Sequence, residues 1–61
     1  MLIRDIERFL NRTGLAPTTF GRLAACDPRL VFDLRNGREP REAMQARVEH
    51  FMNTFREGHH A

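Results

Sequence analysis

The chain predicts an all-α fold, a small four-helix bundle, on three observations. Strand signals are missing: β-branched residues are few and no stretch alternates apolar and polar side chains. Apolar residues recur at helical spacing along the whole chain. Pro17, Pro28 and Pro40 each precede such a pattern, and each suits a first helical position, where the missing N–H costs nothing. At 61 residues there is one domain. A domain of that size buries only about 60% of the surface its unfolded chain exposes, so it must be compact or associate.

Four helices are expected, at about 2–13, 17–25, 28–36 and 40–56. In the first, Leu2, Ile3, Ile6, Phe9 and Leu10 form one apolar stripe, with Arg4, Asp5, Glu7, Arg8 and Asn11 on the other side. Gly14 stops it, and Leu15 can pack back on its last turn. The second opens at Pro17 with Ala16 as a poor N-cap, helped by Thr18 and Thr19. It offers Phe20, Leu23 and Ala24 to the core. Gly21 costs roughly 1 kcal/mol against Ala in a helix interior. The expected reason for it is close approach of another helix, one that admits alanine but not leucine. Asp27 caps the third helix ahead of Pro28, and Asn36-Gly37 ends it. The fourth carries Met44, Val48, Phe51, Met52 and Phe55 as a long apolar stripe. The domain spans 1–57, and 58–61 form a frayed, disordered tail.

The single Cys26 excludes an internal disulfide and a Cys-rich zinc site. Beside Ala24 and Ala25 it reads as a small core residue rather than a nucleophile. No apolar run approaches the roughly 20 residues of a membrane span. Acids among the first ten residues argue against a signal peptide. A cytoplasmic, nucleoid-associated protein is expected. His50 reads as a surface or interface residue. His59-His60 lack a third metal ligand. No Ser-His-Asp or Cys-His arrangement has the supporting shell catalysis needs, and the chain has no room for an enzyme cleft. Neither an enzyme nor a cofactor is expected, and no small-molecule ligand is evident.

Net charge is +2, and every basic residue is arginine. The excess lies between Arg12 and Arg41, which sum to +3, while the first eleven residues balance and the chain from Glu42 onward sums to −1. Arginine suits bidentate contacts to phosphate and to guanine edges. Within this segment Val31 and Leu34 fall on one side of the third helix. Arg29, Phe32, Asp33 and Asn36 are left pointing away from the core.

Helices two and three are joined by a turn of about two residues, which suits a sharp crossing. Together with Gly21, the Ala25-Cys26 turn, Val31, Leu34, Gly37 and Pro40, the segment "TTFGRLAACDPRLVFDLRNGREP" resembles the phage repressor and Cro-like, or XRE, helix-turn-helix family. The resemblance covers about Leu15 to Phe51. The family has glycine in the turn where this chain has Ala25, an aliphatic residue at Cys26, and often a fifth helix. What the resemblance implies is a lambda-repressor-like, sequence-specific DNA-binding regulator, a bacterial or phage repressor, with helix 28–36 in the major groove. It implies that Arg29 reads guanine, that Asn36 meets adenine or a phosphate, that Phe32 meets a thymine methyl, and that Pro28 lies near the same groove wall. Thr18, Thr19 and the free N–H groups of helix two would hold a phosphate, with Arg22, Arg35, Arg38 and Arg41 as further phosphate contacts.

Other readings stay open. Phe32 could fold against helix four. Asp33 pairs with Arg29 or another nearby arginine, or else accepts from cytosine. Leu30 is expected to be partly buried. Double-stranded DNA is the expected partner, with no membrane. Because one half-site gives little affinity, a homodimer is expected through helix four, at Val48, Phe51, Met52 and Phe55. Val48 and Phe51 also close the monomer core, and Met52 and Phe55 sit at the dimer centre or fold back on Ile3 or Ile6. The competing function is a protein-interaction module or antitoxin-like adaptor that keeps the fold without binding DNA.

Overall fold

Local chemistry sets where each helix starts and stops. The computed structural model describes residues 1–55, so the expectations for Arg56, Glu57 and the 58–61 tail lie outside the described residues. Within them the chain forms α1 (Leu2–Thr13), α2 (Pro17–Ala25), α3 (Leu30–Arg35) and α4 (Glu42–Thr54), with no strand. Gly14 takes a left-handed conformation (φ 78°), and its N–H donates to the Leu10 carbonyl at 2.9 Å. That turn sends Leu15 back onto the core. Pro17 opens α2, which has no side-chain cap at Ala16.

The last two helices start about two residues later than the sequence predicts. Asp27, Pro28 and Arg29 form a tight turn in which the Leu30 N–H donates to the Asp27 carbonyl (3.1 Å). Arg29, not Asp27, is the N-cap of α3, and no side chain caps the helix; the Asp27 carboxylate instead accepts the Arg29 N–H at 3.0 Å within the preceding turn. Gly37 (φ 98°) closes α3 with paired bonds, Gly37 N–H to the Leu34 carbonyl and Arg38 N–H to the Asp33 carbonyl. This is the Schellman arrangement, which left-handed glycine permits. Pro40 lies before α4, and extended Arg41 (ψ 157°) is the residue at its N-cap.

The core is entirely apolar. Leu2, Ile6, Phe9 and Leu10 come from α1, Phe20, Ala24 and Ala25 from α2, Leu30, Val31 and Leu34 from α3, and Val48 from α4. Ile6, Phe20, Leu30, Val31 and Val48 are fully enclosed, each contributing roughly 1.5–3 kcal/mol of burial. Phe9, Phe20, Phe51 and Phe55 form a connected ring cluster, with centroids 5.3–6.1 Å apart. No buried residue among those described is polar or charged.

Several expectations are corrected here. Leu23 is 56% exposed. The buried face of α2 is Phe20, Gly21, Ala24 and Ala25, and Leu23 lies about 130° from its centre at helical spacing. Cys26 is exposed rather than a core residue, because the left-handed turn points it outward. Leu30 is fully rather than partly buried. Of the α4 stripe, Val48 is enclosed, while Phe51, which packs on Phe9 and Phe20, and Met52 are half-buried. Phe55 folds back on α1 as its alternative reading had it, with its ring 5.3 Å from that of Phe9. Gly21 tolerates less than expected. A Cβ there would run into the Asp27 carbonyl oxygen and lie 3.3 Å from Leu30 Cβ, so alanine is already too large.

Candidate nucleic-acid interface

The pairing of α2 with α3 depends on two residues with opposite requirements. At Gly21 the missing Cβ lets the Asp27 carbonyl approach the helix, and the Gly21 carbonyl accepts the Asp27 N–H at 3.0 Å. At Cys26 the chain turns through a left-handed conformation (φ 55°, ψ 31°) without glycine. Such a conformation costs roughly 1–2 kcal/mol for a residue with a Cβ. The resemblance places the family's turn glycine at Ala25, but Ala25 is the last, buried residue of α2, and the left-handed position is one residue later.

Burial of Leu30, Val31 and Leu34 fixes the rotation of α3. The opposite face then carries Arg29, Phe32 and Asn36, all exposed. Phe32 is 43% exposed and makes no ring–ring contact, which disposes of its core reading. Arg29, Arg22 and Arg41 are exposed and have no side-chain hydrogen bond or ion pair among the described residues. Pro28 and Thr19 are exposed, and Thr18 is half-buried. With no cap on α2, the N–H groups of Thr18 and Thr19 have no acceptor within the helix.

Two arginines placed among the phosphate contacts are engaged within the protein. Arg38 Nη1 donates to Asp27 Oδ2 and to Asp33 Oδ2, both at 3.2 Å. Asp33 is thus paired, with Arg38 rather than Arg29, and one guanidinium joins the start of α3 to its end. Arg35 donates from Nε to Glu7 Oε2 at 2.7 Å and from Nη2 to Glu7 Oε1 at 2.8 Å, a two-pronged bond from α3 to α1. Its hydrogen bonds, reinforced by its charge and opposed by slight desolvation, hold the Glu7 carboxyl below its usual 4.5 and raise Arg35 in turn. Glu7 was not singled out in the sequence. It stands 28 residues from Arg35 and reads locally as one more charge on the polar face of α1.

The remaining candidates gather no chemistry. His50 is exposed, and no three His, Cys, Asp or Glu residues among those described could share a metal ion. No helix among them is long and apolar enough to cross a membrane. A surface groove between α1 and α4, lined by Arg8, Phe9 and Met52, contains none of the predicted DNA contacts. Comparisons of the chain with protein-family models, with curated proteins and with solved structures return no match.

Proposed function

We propose that this chain is a sequence-specific DNA-binding transcriptional regulator, a repressor, that inserts α3 into the major groove of double-stranded DNA. The observation that carries the reading is Phe32. A phenylalanine stands 43% exposed on the outer face of α3 between exposed Arg29 and Asn36, while every other phenylalanine joins the core cluster. That face combines a guanine-reading group, an amide for adenine and an apolar edge for a thymine methyl. Pairing of Asp33 and Asp27 with Arg38 lessens the repulsion two carboxylates would exert on a phosphate backbone. Thr18, Thr19, Arg22 and Arg41 supply the phosphate contacts.

On a two-fold operator, two copies would occupy half-sites about one helical turn apart. Contact between them through α4 would use the surface that half-buried Phe51, Met52 and Phe55 leave open beside enclosed Val48. Selection of binding sites from random duplex DNA, followed by salt titration of the best site, tests the reading. Each phosphate contact adds about 0.9 to the slope of log K against log salt. No enriched sequence and a flat salt response would refute it. Exposed Leu23 on α2 favours a second reading, a protein-interaction module, for which apolar contact predicts that flat response.

A further inference from the structure

Glu7 and Arg35 belong to no expected base contact, yet they are tied to the residue that carries the functional reading. The Arg35 guanidinium carbon lies 5.8 Å from the centroid of the Phe32 ring, within cation–π range. Its fork is held by both oxygens of Glu7. An exposed phenylalanine with no ring neighbour samples several rotamers; a planar cation fixed by a carboxylate narrows that choice. The geometry points to Glu7 and Arg35 as positioning residues that set where the Phe32 edge is presented, and so help determine specificity at one base pair. This rests on the DNA-binding reading above. It also removes Arg35 from the phosphate contacts, since the Glu7 carboxylate already offsets its charge and fixes its fork.

The chain Glu7–Arg35–Phe32 makes demands that a free phosphate-binding Arg35 would not. Losing Glu7 would then leave affinity for arbitrary DNA unchanged and blur discrimination at the position Phe32 meets. If Arg35 instead served phosphate, losing Glu7 would release a cation and strengthen binding to every sequence alike.

The test uses the full chain, with Glu7→Gln and Arg35→Lys as separate variants. The first readout is the aromatic NMR spectrum of the free protein. Both variants are expected to shift the Phe32 ring resonances and leave the four core rings in place, which also reports that the fold is intact. Phe32 resonances unmoved in both variants would overturn the proposal. The second readout replaces each thymine of the selected site in turn with deoxyuridine. Wild type is expected to lose about fourfold at one position, the worth of one buried methyl group. Glu7→Gln is expected to lose that discrimination while its affinity for unrelated duplex stays the same. Full retention of the methyl preference, or uniformly tighter binding, would overturn the proposal. If wild type binds no duplex at all, the DNA reading falls, and the ring resonances alone decide whether Glu7 and Arg35 position Phe32.

Discussion

A methyl group at position 21 is the smallest change that probes how α2 meets α3. Gly21→Ala gains roughly 1 kcal/mol of helix propensity. Against that gain, the new Cβ is driven into the Asp27 carbonyl oxygen, a backbone atom that cannot rotate away, with Asp27 C and Leu30 Cβ both 3.3 Å off. Overpacking that forces a backbone shift costs about 1–3 kcal/mol, occasionally more. Retreat of Asp27 also stretches its N–H bond to Gly21, worth about 1 kcal/mol, and loosens the fully buried Leu30. The propensity gain about offsets the lost hydrogen bond, leaving a net destabilisation of about 1–3 kcal/mol. A domain of this length has only about 3–9 kcal/mol in total. A thermal melt followed by far-ultraviolet circular dichroism should show Tm falling by about 4–8 °C for each kcal/mol lost. An alanine variant that melts at or above wild type would refute the steric account, and Gly21→Leu would then have to be explained by volume alone.

Arg29→Ala should cost about 1–3 kcal/mol on the best site and relax preference at one base position, whereas Arg38→Ala, by baring the Asp27 and Asp33 carboxylates to the phosphate backbone, should weaken all sequences alike; matching specificity profiles would remove Arg29 from base reading. Because Arg38 also bridges Asp27 and Asp33, its loss should lower Tm as well, which a melt without DNA checks. Phe55→Glu should lower Tm and release Phe9 and Phe51 from their contacts, rather than give a well-folded variant; an unchanged melt would return Phe55 to the list of interface residues. Glu7 has a folded pKa below 4.5, so its contribution to stability is complete above that value and fades as pH falls through the folded pKa. Urea unfolding of wild type and Glu7→Gln should therefore differ at neutral pH and converge under acid conditions; a difference constant across that range would contradict the pairing.

The positions of α1 and α2 are legible in the sequence because their signals are local. A stripe, a stop glycine and a first-turn proline lie within a few residues of the boundaries they set. The starts of α3 and α4 are displaced because proline marks the entry of the chain into a turn as readily as the first helical residue, and only hydrogen bonds distinguish the two. Leu23 and Cys26 were misplaced for a related reason. In so short a helix the wheel does not say which side its neighbours occupy, and a left-handed residue reverses the direction its side chain takes. The outward set on α3 was readable, since Val31 and Leu34 fix the rotation. Its support from Glu7 was not, because nothing local relates a carboxylate on α1 to an arginine 28 residues later.

The ring cluster has a practical consequence for following this molecule in solution. The chain has no tryptophan and no tyrosine, so its five phenylalanines are its only aromatic chromophores. Four of them touch one another across α1, α2, α4 and the residue that ends α4, and the fifth stands apart on α3. Near-ultraviolet dichroism of the protein is therefore dominated by a single tightly packed site. Loss of that signal with the far-ultraviolet helix signal retained would mark a state in which the helices persist but the interior has loosened.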